Sequence, residues 1–397
     1  MYVELRCGFR GVVKILSILQ DVFKWDFAAV PNRNSIENWV KKSGYSIYQE
    51  PSATLSKEDY AMIVDESIMI GREKMLLVLG TKSEKRVGVP VRYEDIEVLD
   101  IGIRSSWNGQ QVSSVLHRAA KKTGHAPDYV ISDNGSTMAK GIRDSGYKHI
   151  RDVGHSLGMF MERIYKYDEE FKSYMKELSA IRFKGILTSI AYLLPPQQRT
   201  IARFLNLTEV VEWSDKMQLA YTSLNREEQK AFSFIPKYAS FIDEMKDVLQ
   251  CVNGIQKEIK HNGLSSNTLS KCLSCMKKHL RCINARTVRL TEEIVNYLRI
   301  ETGKVKPKAT AWNASSDIIE SVFGTYKQKK SSNPLHGVTG LVLLLPLLSH
   351  IKNKEKLNSF SFKSSLENVF LSDIKQWEMD KLTENLASRR KMVLKCA

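Results

Sequence analysis

The sequence predicts an α/β core, a mixed five-stranded sheet with flanking helices, interrupted by a large all-α insertion and preceded by an N-terminal helical region. Three observations carry this. Between residues 58 and 155, apolar runs of strand length alternate with helical periods. Residues 156–305 hold Lys- and Glu-rich amphipathic patterns with almost no strand signal. After residue 306 a helical period with an apolar face returns.

In residues 1–50, Val12, Leu16, Leu19 and Phe23 recur at helical spacing until Pro31 to Asn34 break the pattern. Ser35 is a suitable N-cap for a second helix through Ile36, Trp39 and Val40, which Gly44 should stop. Two short helices around a polar break suggest a helix-turn-helix, with Trp39 in its core and Arg33, Asn34, Asn38 and Lys41 placed to meet DNA. An ordinary helical hairpin packed on a neighbour fits the same pattern.

The period then changes. Tyr60 to Ile68 and Lys74 to Leu79 read as strands, with a turn at Gly71. Asp95 to Ile103 alternates through Ile96 and Val98, slips at Leu99, and resumes at Ile101 and Ile103. Asn108-Gly109 opens a helix to about Lys122, Pro127 to Ser132 is a short buried strand, Ser136 to Arg143 a helix, and His149 to Val153 a strand. The expected divisions are 1–50, 58–155, an all-helical insertion at 156–305, a last core part at 306–350 and a polar tail at 351–397. A basic linker (Lys304, Lys306, Lys308) precedes the helix from about Ala314 to Lys330.

Composition narrows the function classes. The 397 residues carry 60 Lys+Arg against 44 Asp+Glu, a formal charge of +16, which favours a polyanionic partner, most simply nucleic acid. With 43% hydrophobic residues the chain can bury a sizeable core. The most apolar run, Val338 to Leu348, is shorter than the roughly 20 residues of a membrane helix and contains Pro346, so no membrane span is expected. Six cysteines in so long a chain are not a disulfide framework, and no signal peptide is visible; a reducing, cytoplasmic location is the expectation.

Three acids stand out. Asp65 interrupts the apolar run from Ala61 to Ile68, where a carboxylate is costly to bury unless it meets a cation or a donor. Asp133 follows the strand Tyr129-Val130-Ile131-Ser132, and ligand sites of open sheets gather at strand ends. Glu320 lies at the edge of the helical face marked by Ile318, Ile319 and Val322. Carboxylates on two strands and a packed helix can hold two Mg²⁺ ions, with Mn²⁺ able to substitute, and such a pair serves phosphodiester chemistry. Glu66 alternates to the other strand face and is left out.

This layout resembles the RNase H-like DDE transposases of bacterial insertion sequences, of a loosely classified group with an N-terminal helix-turn-helix. The matching text is Val64-Asp65-Glu66-Ser67-Ile68-Met69-Ile70-Gly71, then Ile131-Ser132-Asp133-Asn134-Gly135, then Ser316 to Lys327 around Glu320. The resemblance covers nearly the whole chain and implies an RNase H-like core with Asp65, Asp133 and Glu320 as the metal-binding catalytic triad. It implies that Lys327, about two turns beyond Glu320, grips a DNA phosphate, with Tyr326 beside it. The long gap between Asp133 and Glu320 is implied to be the helical insertion. Partners implied are double-stranded DNA, as terminal inverted repeats and target, and a second copy of the chain in a homodimer or larger assembly. The implied activity is cleavage at element ends and transfer of the 3′-OH into target DNA.

Cys272, Cys275, His279 and Cys282 share one face of an expected continuous helix from Ser265 to Leu290, but span about 15 Å at 1.5 Å per residue. That is too far for one tetrahedral zinc, so a core face is expected. The same stretch carries Lys271, Lys277, Lys278, Arg281, Arg286 and Arg289 without an acid, a candidate DNA-facing surface. His155 is a candidate accessory to the acids, or a structural histidine. Trp213 is a candidate for stacking a flipped base, or a core residue. The rival readings are a DNA-binding protein that keeps the fold without the activity, an RNase H-like nuclease, and a helical scaffold with an incidental acid pattern.

Overall fold

The structure, a computed structural model, describes residues 1–397 except 6, 68, 198–206, 308–309 and 396–397. The chain divides into two compact units: Met1–Glu84, Pro90–Ile150 and Ser316–Ala397 form the first, Lys85–Val89 and Arg151–Ser315 the second. Residues 1–50, expected as a separate region, thus belong to the first unit.

Helix α1 (Phe9–Phe23) ends at Lys24, whose left-handed backbone (φ 55°) breaks the spiral. Residues 24–32 lead to α2 (Arg33–Gln49), a longer connection than the ~3–4-residue turn of a helix-turn-helix. The N-cap of α2 is Asn32, which accepts the Ser35 N–H at 2.8 Å; Ser35 itself already lies inside the helix. Nor does Gly44 stop α2. A Cβ at Gly44 would lie 1.8 Å from the Leu343 carbonyl oxygen, so this glycine permits a close backbone approach and the helix runs on. Trp39, expected in the core, is 44% exposed, at the edge of the buried stripe of Ile36, Val40, Ser43 and Gly44.

The sheet contains β1 (Tyr60–Glu66), β2 (Lys74–Lys82), β3 (Ile96–Arg104), β4 (Tyr129–Ser132) and β5 (His149–Arg151), in the order β3-β2-β1-β4-β5. Antiparallel pairing joins β1 to β2 and β2 to β3, and parallel pairing joins β1 to β4. Helices α3 (Gly109–Thr123) and α4 (Ser136–Asp144) cover one face, where Val112, Val115, Met138 and Ile142 meet Met62, Val64 and Val130. Strands buried on both faces read as continuous apolar runs, which is why β1 and β2 show little alternation. The slip at Leu99 is a bulge: Val78 pairs with Asp100 and Leu79 with Val98, leaving Leu99 unpaired.

The second unit is helical: α5 (Val153–Tyr165), α6 (Glu169–Gly185), α7 (Thr208–Ala220), α8 (Arg226–Ala231), α9 (Phe234–Lys237), α10 (Ala239–Asn262), α11 (Ser266–His279) and α12 (Ala285–Gly303). The continuous helix expected over 265–290 is interrupted after His279. Asn284 restarts it by capping Thr287, a local side-chain-to-backbone bond that competes with helix propagation. Lys304 pairs with Glu301 at 2.8 Å, and Lys308 of the basic linker lies outside the described residues.

The chain then completes the first unit with α13 (Asp317–Lys329), α14 (Leu344–Lys352), α15 (Lys354–Ser359), α16 (Phe362–Asn368), α17 (Leu371–Lys381) and α18 (Leu386–Lys395). The expected polar tail is therefore helical, and α2 packs on α14, α16 and α17. Among the described residues, no helix is long and apolar enough to cross a membrane.

Candidate active site

Asp65 and Asp133 are brought together by strand pairing. The parallel register of β1 and β4 runs Ala61↔Tyr129, Met62↔Val130, Ile63↔Ile131. Each aspartate lies two residues beyond the last pair, so the two stand at equivalent positions at the same end of adjacent strands, whose spacing is about 4.8 Å. Met62, Val64 and Val130 point into the α3–α4 layer. Alternation therefore directs Asp65 and Asp133 to the opposite face. Helix α13 packs against β1, and Ile318, Ile319, Val322, Phe323 and Tyr326 form its buried side.

Local hydrogen bonds set both acids. Asp65 Oδ1 accepts the Glu66 N–H at 2.7 Å. Asp133 Oδ1 accepts the Gly135 N–H at 3.0 Å, closing an Asx turn. Both side chains are half-buried. Glu66, on the other strand face, is spent on Lys74 at 2.5 Å.

Glu320 lies in the first turn of α13 and is exposed. Its link to the strand acids runs through Lys327. Burial pushes the Lys327 ammonium below its ordinary 10.5, while the carboxylates of Asp65 and then Glu320 hold it up. One cation thus feels a strand acid and the helix acid together. Tyr326, expected beside it on DNA, is instead a core residue. Its ring is fully buried, its hydroxyl accepts the Thr339 N–H at 3.2 Å, and burial pushes the phenol up to about 12.

Among the described residues, no three His, Cys, Asp or Glu side chains converge closely enough to hold one metal ion. Mg²⁺ does not require three; it is usually bound through one or two carboxylates with water completing the shell. The Asp65–Asp133 pair fits that demand by residue type and strand register, with Glu320 on α13, the helix that packs against β1.

The remaining sequence-selected residues fall in several places. Arg33 pairs with Glu37 at 2.9 Å, and Lys41 lies 3.3 Å from Glu37 and 3.7 Å from Glu378. Asn34 is exposed. In the second unit, Lys277, Lys278 and Arg281 are exposed, with Arg281 3.8 Å from Asp247. Arg286 departs from the expected basic surface: it donates inward to Asp168, Glu170 and Glu244 at 3.0, 2.9 and 2.6 Å. Trp213 is half-buried against Phe232 and donates to the Leu193 carbonyl. His155 sits in the first turn of α5, its ring 3.0 Å from Asp152, the N-cap of that helix. Cys272 is buried and Cys282 exposed beyond the end of α11.

Two contacts near the acids carry no mark in the sequence reading of the site. Ser132, the residue before Asp133, lies 2.9 Å from His149 Nε2 on β5. Tyr93 reaches α13 by Ser321 at 2.9 Å and Thr325 at 3.0 Å. The histidine could have been noticed as a polar residue in a short strand; Tyr93, far from α13 in sequence, carries no local signal. No family model and no curated protein matches the chain.

Proposed function

We propose that this chain is a DNA transposase of the DDE type, in which an RNase H-like core cleaves phosphodiesters at element ends and joins the freed 3′-OH to target DNA. The observation that carries the reading is the side-by-side placement of Asp65 and Asp133 on adjacent parallel strands, facing the side on which α13 brings Glu320 and Lys327. A five-stranded mixed sheet with flanking helices, interrupted by an all-helical unit, supports it.

Asp65 and Asp133 would hold Mg²⁺, or Mn²⁺ in its place, with Glu320 joining when DNA is bound; the metal supplies Lewis-acid activation of the phosphodiester and of the attacking hydroxyl. The carboxylates position and are not nucleophiles. Water attacks phosphorus at the element end and the 3′-oxygen leaves as a hydroxyl; that hydroxyl then attacks a target phosphodiester in line, and the target strand's 3′-oxygen leaves as a hydroxyl in turn. Lys327 contributes a cation half-screened from solvent, which strengthens its hold on a phosphate oxygen. A dimer on two element ends and action in the bacterial cytoplasm belong to the same reading.

The test is incubation of the purified chain with duplex DNA from the flanks of its own coding sequence, plus Mg²⁺ and a plasmid target. Cleavage and joined products that vanish in Asp65→Asn support the reading. Cleavage without joining would make it a plain nuclease. A second reading, the same fold binding DNA without activity, is favoured by the absence of a converged three-acid group among the described residues. Specific binding with no Asp65-dependent cleavage in either metal would establish it.

A further inference from the structure

We propose that the cleft between α2, the C-terminal end of α13 and α17 binds the phosphate backbone of DNA, and that Glu378 occupies it as an internal stand-in for phosphate. The proposal rests on the DNA-processing reading and adds a site and a competitor to it. The cavity measures about 1100 Å³ and is open along one side. That exceeds the ~300–1,000 Å³ of small-molecule sites and suits an extended ligand.

Its cations come from separate segments: Arg33 and Lys41 from α2, Lys329 and Lys330 from the end of α13, and Lys375 from α17. Against them the lining sets three acids, Glu37, Glu378 and Glu384, so the cleft keeps an excess of positive charge that favours an anionic ligand. Of the lining acids, Glu384 is drawn to Arg389 outside the cleft at 3.1 Å, while Glu37 lies within it, 2.9 Å from Arg33 and 3.3 Å from Lys41. Lys329 is spent on the Tyr2 and Leu5 carbonyls at 2.6 and 3.0 Å and serves as wall. Lys330 donates to the carbonyl of its neighbour Ser331, and Lys375 is exposed. Lys330 caps the C-terminal end of α13, the helix that carries Lys327 and Glu320.

Glu378 enters from α17. It lies 3.7 Å from Lys41, and its Oε1 presses on Gly340, where a Cβ would lie only 1.6 Å away. A carboxylate held against a backbone and paired with a cation presents the oxygens a phosphate would present. DNA entering the cleft competes with it for Lys41.

The experiment titrates the full chain against a fluorescein-labelled DNA duplex of arbitrary sequence by anisotropy over a salt series. The double reversal Lys330→Glu/Lys375→Glu should weaken binding by about tenfold or more and lower the salt slope by about 2. Glu378→Gln should tighten binding severalfold, a gain no folding defect produces. Lys57→Glu/Lys121→Glu, an equal charge change outside the cleft, should lose far less than the cleft pair. Equal losses in both double variants, no gain in Glu378→Gln, or binding of single-stranded RNA but not DNA would each overturn the proposal. Cleft-dependent binding without Asp65-dependent cutting would leave the cleft and remove the catalytic reading; cutting indifferent to the cleft variants would do the reverse.

Discussion

Gly44→Ala separates a free-standing N-terminal helix pair from one built into the first unit. In an exposed helix the change should stabilise by about 1 kcal/mol, since glycine is the poorer helix former by that much. Here the new Cβ would lie 1.8 Å from the Leu343 carbonyl oxygen and 2.7 Å from its carbon. Backbone cannot rotate aside as a side chain can, so α2 must shift away from Leu343. That shift strains its packing on α14, α16 and α17 and the 2.7 Å hydrogen bond from Tyr48 to Asp100. Overpacking of this kind costs about 3 kcal/mol at the upper end of its usual range, leaving a net loss of about 2 kcal/mol after the helix gain. For a unit of this size the melting transition should fall by about 4–8 °C. Scanning calorimetry is the assay, since two units need not melt as one. An unchanged or raised transition would refute the claim that α2 is part of this core.

Other outcomes follow from the same geometry. Asp65→Asn and Asp133→Asn should each cut DNA cleavage by more than the roughly 10–100-fold lost when a residue merely supporting a metal ligand is removed, measured as initial rates in Mg²⁺. Glu73, buried with Oε2 accepting the Val338 N–H at 2.5 Å, has its carboxyl raised above the ordinary 4.5 by burial, which that hydrogen bond only partly offsets. Its folded value exceeds its unfolded one, so the folded state holds the proton longer and stability falls as pH rises from 4.5 through the raised value. Glu73→Gln should flatten that fall, read from urea midpoints across the window; an unaltered profile would contradict it. Burial pushes the Cys251 and Cys272 thiols up to about 12, whereas Cys282 is exposed. Iodoacetamide at pH 8 should therefore label Cys282 first and leave the buried pair until the chain is unfolded, as mass spectrometry would record.

Local order was largely legible. The strand runs, the helix opened by Asn108-Gly109 and the break in alternation at Leu99 follow from period and capping, which act over a few residues; that the break is a bulge came from the pairing with β2. The placing of Asp65 within one strand and of Asp133 just past another was legible for the same reason. Errors arose where a residue's partner lies far along the chain. Gly44 reads as a stop signal until Leu343 is placed against it. Arg286 reads as surface charge until Asp168, Glu170 and Glu244 surround it. Tyr326 shares a helix with Lys327, but only packing decides that the tyrosine turns inward to Thr339.

The sequence by itself determined the strands of the sheet and most of the helices around it, and it put Asp65 in one strand and Asp133 just past another. Periodicity, caps and turn residues encode these through interactions between neighbours. Only the tertiary structure decided that the first two helices and the last four join one unit, which cations are already paired, and that a cleft opens among α2, α13 and α17. Those are consequences of burial and pairing between residues hundreds of positions apart, and no local pattern specifies them.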